Sequence, residues 1–370
     1  MNSPPLLRRV GSFLLRPLDP PLLLLLGGLT LIGLLTLYSA SGGSWVRWSN
    51  QLINFAVAIC CMRLVAQVPP ARLASVAPPL YVLGVLLLIG VAVGGEVING
   101  ARRWLDIGIT RIQPSELMRL STPLMMAWYL HRHQEDLLPR HFLIATVILA
   151  LPMALILRQP DLGTALLVGA AGSFVLFLAG LRYRVIAVLG VLALAALPVV
   201  WGLLHDYQRR RVLTLLDPMQ DPLGAGYHTI QSMIAVGSGG LFGKGWMQGT
   251  QSYLDFLPER HTDFIFAVFA EEFGLAGVLV MFVLMLAIVL RGLRIASQAN
   301  GLFSRMMAGA VTLSFFTYVC VNIGMVIGLL PVVGVPLPLV SYGGTSLVTL
   351  GLAFGILMSV RRHRGMIGGP

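Results

Sequence analysis

Apolar residues run along this chain in long blocks rather than in strict alternation. Ten blocks are long enough, at roughly 20 residues, to form spanning helices. They fall near 20–40, 49–67, 76–95, 114–131, 142–158, 162–180, 184–204, 263–291, 304–329 and 342–360. The fifth and sixth are separated only by RQPDLGT, a tight turn. Two outer intervals stand out. The short one is GGEVINGARRWLDIGITRIQPSE, Gly94 to Glu116; the long one runs from about His205 to Thr262. The long interval mixes apolar patches such as TIQSMIAV with glycine clusters (GSGGLFGKGW). One or two short amphipathic helices at the outer interface are expected there. The pattern predicts an all-α polytopic membrane protein with about ten transmembrane helices. Residues 1–370 form one transmembrane domain, and a large extracytoplasmic loop, 205–262, lies between helices 7 and 8. No internal repeat is evident, which weakens an inverted-repeat transporter reading.

Composition agrees: 56% of residues are hydrophobic, 11% are charged and the mean hydropathy is +0.83. The net charge of +11 is almost all arginine, since Lys244 is the only lysine. In a soluble protein such a balance hints at nucleic acid. Here basic loops orient membrane helices instead, and no nucleic-acid partner is expected. With both ends in the cytoplasm, inside segments hold 15 of the 26 basic residues, among them Arg8, Arg9, Arg16, Arg63, Arg291 and Arg361. The expected location is therefore the cytoplasmic membrane, multi-pass, with both termini inside. The basic start and the long run from Pro21 read as a retained first helix rather than a cleaved signal. Cys60, Cys61 and Cys320 lie in apolar runs at no metal-ligand spacing, so buried thiols are expected.

Charge concentrates at LPERHTDFIFAVFAEEFG, Leu257 to Gly274. Asp263 before an apolar run is a good helix N-cap. A carboxylate at a membrane edge beside Glu259, Arg260 and His261 also suits a general base. Both readings stay open. Glu116 and Arg119 share a helix face at i, i+3, as a structural ion pair or a cavity wall. Glu271 and Glu272 lie about 12–13 Å deeper than Asp263, on other helix faces, and suit packing or partner roles. Arg102, Arg103 and Trp104, with Lys244, Arg260 and Arg209 to Arg211, offer either an outer anion site or ordinary headgroup contacts. There is no G-x-x-x-x-G-K-S/T, no H-E-x-x-H and no D-x-D motif, so nucleotide chemistry is not expected. GSGGLFGKG does not follow a strand and is a weak match to a nucleotide loop.

The segment VNIGMVIGLLPVVGVPLPLVSYGGTS, Val321 to Ser346, resembles the signature of the SEDS family (shape, elongation, division and sporulation). GARRWLDIG (100–108), QPSE (113–116), QPDLGTALL (159–167), LDPMQDPLGAGYHTIQSMIAVGSGGLFGKG (216–245) and FLPERHTDFIFAVFAEEFG (256–274) agree, in family order across essentially the whole chain. GTQSYLDFLPERHTDF and the short N-terminus are closer to the elongation members than to the division ones.

The resemblance implies a bacterial inner-membrane glycosyltransferase that polymerises lipid II into glycan strands, and ten spanning helices. It implies that Asp263 is catalytic and deprotonates the acceptor's 4-hydroxyl. That oxygen attacks the donor's anomeric carbon with inversion, and undecaprenyl pyrophosphate leaves. Glu116 and Arg119 match the family's intramembrane pair, whose basic member is usually lysine. Arginine keeps the charge but does not carry a proton at working pH, so a charge-and-geometry role is expected. Arg102, Arg103, Trp104, Glu116, Arg119, Lys244, Glu259, Arg260 and His261 are the expected substrate-binding residues. No cofactor is implied with certainty; a divalent cation (Mg or Mn) could share the charge, although the sequence offers no dedicated cage. The implied partners are a class B penicillin-binding protein transpeptidase and other elongation-complex proteins. The eighth and ninth helices, with their Gly and Ala positions, are the expected groove for the transpeptidase. The alternatives are a lipid II flippase, which needs a polar path through both leaflets, and a scaffold that only positions the transpeptidase.

Overall fold

The structure is a computed structural model that describes residues 18–98, 101–106, 111–203, 209, 213–215, 217, 225–253, 257 and 259–365. Part of the expected long loop, including Arg210 and Arg211, lies outside the described residues, as do Arg8, Arg9 and Arg16.

A helix covers each of the ten apolar blocks. They are α1 (Pro20–Ala40), α2 (Trp45–Val65), α3 (Pro70–Gly94), α4 (Pro114–Arg132), α5 (Pro139–Arg158), α6 (Leu162–Leu178) and α7 (Tyr183–Leu203). After α8 (Ala225–Ser238) and α9 (Thr250–Tyr253) come α10 (Ile265–Ser297), α11 (Leu302–Val326) and α12 (Gly344–Arg362). Seven of these (α1, α2, α3, α5, α10, α11 and α12) are long and apolar enough to cross a membrane. The chain is a multi-pass membrane protein.

α4 falls short in hydropathy for a reason visible in its packing. It touches α3, α5, α6, α11 and α12, and most of its side chains are buried. A helix surrounded by protein needs no apolar coat, so Glu116, Ser121 and Thr122 are tolerated there. α2 is the opposite case, a peripheral helix that buries only Gln51, Phe55, Ala58 and Met62, mainly against α12.

Three expectations need correction. The short outer interval is not all loop: β1 (Glu96–Ile98), β2 (Ala101–Asp106) and β3 (Arg111–Ile112) form an antiparallel meander. The thiols are not buried: Cys60 and Cys320 are exposed and Cys61 is half-buried, on surfaces that a bilayer would cover. Gly292 and Gly309 are not open to a partner, because a Cβ there would strike Thr312 and Leu178 inside the bundle.

The eighth block is not one continuous helix either. α10 breaks at Gly274 (φ 63°, ψ −164°). A break inside a membrane leaves amides and carbonyls without helical partners. The glycine-rich stretch after α8 supplies them. Lys244 N donates to Glu271 O (3.0 Å) and Gly245 N to Glu272 O (3.0 Å). In return Leu275 N donates to Gly240 O (2.9 Å) and Ala276 N to Leu241 O (3.0 Å). The approach is so close that a Cβ on Gly239 or Gly243 would collide with the carbonyl of Ala270 or Glu272. GSGGLFGKG is thus a backbone-docking segment, not a nucleotide loop. α8 itself packs on α10 and α11, with Ser232 Oγ donating to Val326 O (2.8 Å).

At the opposite end of α10, Asp19 caps α1 through Leu22 N (3.0 Å) and pairs with Arg291 (2.5 Å) and Arg361 (3.4 Å). Burial works against ionisation of Asp19, but Arg291, the Leu22 amide and the charge of Arg361 hold its carboxyl below the usual value. One carboxylate thereby ties α1, α10 and α12.

Gly243→Ala is expected to destabilise the protein by about 2–4 kcal/mol, from overpacking against Glu272 O and strain at φ 78°. Thermal unfolding in detergent checks it; Gly237→Ala, where a Cβ meets open space, is the control and should change little.

Candidate functional site

Asp263 lies in the turn of residues 259–264, just ahead of α10. The N-cap position of α10 is Phe264, with no side-chain cap bond of its own, so Asp263 stands one residue ahead of the cap. Glu259 builds the turn. Its backbone is left-handed (φ 48°), and its carbonyl accepts from Thr262 N (3.0 Å) and Phe264 N (3.3 Å). Its carboxylate accepts from Thr262 Oγ1 at 2.9 Å.

The turn is fastened to the irregular segment between α11 and α12. Asn322 Nδ2 donates to Asp263 O (2.8 Å) and to Val335 O (2.7 Å). Ser341 Oγ donates to Thr262 O (2.6 Å), and Tyr342 N donates to His261 O (2.9 Å). A Cβ on Gly334 would sit 3.4 Å from Asp263 Oδ2, so the carboxylate lies directly beside that glycine (φ 73°). In the sequence, VNIG…VSYGGTS stands out only as a signature. Its Asn322, Ser341 and Tyr342 turn out to hold the acid's main chain. A buried amide and hydroxyl inside an apolar run were the signal available.

Glu116 and Arg119 pair at 2.7 Å and are almost buried. Arg119 also donates to Thr164 Oγ1 (3.3 Å) and lies 5.2 Å over the Tyr318 ring. The pair is a cavity wall as well as an ion pair. It lines a mostly apolar groove between α4, α6, α11, α12 and residues 336–343, with about 830 Å³ of space including its open part. Ser341 and Tyr342 line the same groove, so it leads to the residues that anchor the Asp263 turn. Glu116 Oε2 and Arg119 Nε are buried without hydrogen-bond partners.

Lys244 does not join this set. Its ammonium binds Glu271 Oε1 (2.7 Å) and Thr250 Oγ1 (2.8 Å), and Glu271 also accepts from Thr250 Oγ1 (3.0 Å) and Gln251 N (3.1 Å). Glu272 accepts from Ser39 Oγ on α1. The two glutamates therefore have packing roles: they fix the docked segment against the break in α10. Arg209 is likewise taken up by α7, donating to Trp201 O (3.1 Å) and Gly202 O (2.8 Å).

Trp104 is half-buried on β2, opposite Glu96. The side chains of Arg102 and Arg103 lie outside the described residues. Arg260 and His261 are half-buried in the turn, with the His261 ring edge-on to Tyr342 at 6.1 Å. Burial, then the charges of Arg47 and Arg260, lower the pKa of His261 against the opposing pull of Glu259. Arg47, at the start of α2, is thus a cation near the turn. Among the described residues no three His, Cys, Asp or Glu side chains form a group that could hold a metal ion.

An apolar multi-pass bundle with an acid-bearing turn, whose anchoring residues line a groove, defines a polytopic membrane protein with a candidate site at that turn. The chain belongs to the family described as cell cycle protein, the FtsW, RodA and SpoVE group, whose model matches residues 21–366. It is 51% identical over 354 residues to the peptidoglycan glycosyltransferase MrdB of Escherichia coli (strain K12), covering 95% of each chain. It is 38% identical to a probable peptidoglycan glycosyltransferase FtsW of Geobacter metallireducens, over 92% of this chain and 94% of that one. A solved chain from work on polymerization and crosslinking by a peptidoglycan synthase complex superposes with a TM-score of 0.81 at 32% identity. That match covers 95% of this chain and 99% of that one. The rod shape determining protein RodA of Thermus thermophilus gives 0.72 at 29%, with the same coverage.

Lys244→Met should destabilise the protein by about 3 kcal/mol, because Glu271 is left buried and uncompensated. Adding Glu271→Gln should recover part of that loss in thermal unfolding. For His261 the folded pKa lies below the ordinary value of 6.5. The stability it contributes is therefore present above that value and is lost as pH falls below it. The melting temperature should decline between about pH 7 and pH 5, less steeply in His261→Gln.

Proposed function

We propose that this chain is a peptidoglycan glycosyltransferase that polymerises lipid II on the outer face of a bacterial inner membrane during cell elongation. The observation that carries the reading is the groove. Its apolar walls suit a polyprenyl tail, the Glu116–Arg119 pair stands in its lining, and its Ser341 and Tyr342 bond directly to the turn that carries Asp263. In this reading Asp263 deprotonates the 4-hydroxyl of the acceptor sugar, which attacks the donor's anomeric carbon with inversion. Undecaprenyl pyrophosphate leaves with the bond electrons. Arg260, with Arg102 and Arg103, stabilises the phosphate charge. Glu259 shapes the turn, Trp104 meets the sugar or headgroup, and Arg119 acts by fixed charge. Any Mg²⁺ or Mn²⁺ ion enters with the pyrophosphate rather than as a resident metal.

In the same proposal all ten long helices cross the membrane, with both termini cytoplasmic and residues 205–262 outside. α4 crosses sheltered by its neighbours, and α6 and α7 complete the set. The partner is a class B penicillin-binding protein. Its spanning helix rests on the exposed stripe Leu275, Leu279, Val283, Leu286 and Leu290 of α10, rather than on the buried glycines. A flippase is disfavoured because the lining of the groove is mostly apolar, with residues such as Leu120, Pro123, Leu167, Ala171 and Phe315 outnumbering its hydroxyls.

Purified protein with its cognate transpeptidase should form glycan chains from lipid II. Asp263→Ala and Asp263→Asn, folded by melting temperature, should form none. Equal activity in those variants would remove Asp263 from the chemistry, and no chains from the wild type would return the flippase to the front.

A further inference from the structure

α2 is the least buried of the described helices near the site, yet it buries a carboxamide completely: Gln51 is 0% exposed. The rest of its inward stripe, Phe55, Ala58 and Met62, is apolar and docks α2 on α12 without help. An unpartnered buried amide costs about 1–3 kcal/mol, so its partners identify its use. Gln51 Nε2 donates to Ser341 O (3.0 Å), and Gly343 N donates to Gln51 Oε1 (3.3 Å). Asn54 Nδ2 also reaches Gln51 Oε1 (3.5 Å). Donor and acceptor side by side let the carboxamide pair with main chain as a neighbouring strand does. The opposite side of the same short turn carries the bonds from Ser341 Oγ to Thr262 O and from Tyr342 N to His261 O.

Residues 341–343 are thus held between Gln51 on one side and the main chain just ahead of Asp263 on the other. We propose that Gln51 is a positioning residue for Asp263, acting through the Ser341–Gly343 turn and making no contact with substrate. The inference rests on the glycosyltransferase reading for its kinetic arm only. Gln51→Met keeps length and removes both bonds. Gln51→Glu keeps the acceptor and turns an anion toward the Ser341 carbonyl.

Three quantities test this: lipid II polymerisation resolved into kcat and KM, melting temperature, and maleimide labelling of Asp263→Cys in a chain with Cys60, Cys61 and Cys320 replaced by Ala. Both Gln51 variants should lower kcat by at least about tenfold, as misplacement of a reacting group does, with KM within about twofold. The labelling rate at position 263 should change in both variants, beyond whatever fall in melting temperature the orphaned Ser341 carbonyl and Gly343 amide cause. Wild-type kcat and labelling in Gln51→Met would overturn the proposal. So would a fall in activity that follows melting temperature while labelling stays constant. If the wild type makes no glycan, the glycosyltransferase reading fails, and the labelling comparison still decides whether Gln51 sets the position of residue 263.

Discussion

Every amide and carbonyl at membrane depth must find a partner inside the protein, and α10 violates that requirement at Gly274. The rest of the half of the bundle that carries Asp263 is arranged around its repair. The segment from Gly239 to Gly245 feeds its own main chain into the gap, so two lengths of backbone satisfy each other. Glycine is required on both sides because the chains lie too close for a Cβ. Glu271 and Glu272 then secure the contact through Lys244 and Ser39. The short helical piece ahead of Gly274 is held apart from the long span behind it. Asp263 stands at the free end of that piece.

The same economy of polar groups governs the other irregular stretch. Residues 327–343 lack regular structure, yet their main chain is engaged by Asn322, Ser341 and Gln51. Each of these side chains is buried. They serve as hydrogen-bond partners for backbone that water cannot reach. The acid-bearing turn is therefore set by three elements at once, α2, α11 and the segment before α12. Arg119 and Glu116 stand across the groove on α4, supported by Thr164 and Tyr318.

Helix positions were legible because long apolar blocks leave few alternatives. The acid and the i, i+3 pair were legible because charge in such blocks is rare. The break in α10 was not, since FAEEFGLAG keeps helical composition on both sides and one glycine does not announce a kink. The pairing of Lys244 with Glu271 is not legible in the sequence, because the two lie 27 residues apart and meet only where the docked segment folds back. Nor is the use of Gln51 legible, since its partners lie 290 and 292 residues downstream. The β meander leaves no sequence signal because its strands are two to six residues long, too short to show alternation.

The bond between Lys244 and Glu271 has a consequence for chemical probing. The chain carries one lysine, so an acylating reagent finds a single ε-amine in 370 residues. That amine is engaged by a fully buried carboxylate while the docked segment is seated. Its acylation therefore reads the state of that one ion pair, and with it the docked segment, without any engineered label.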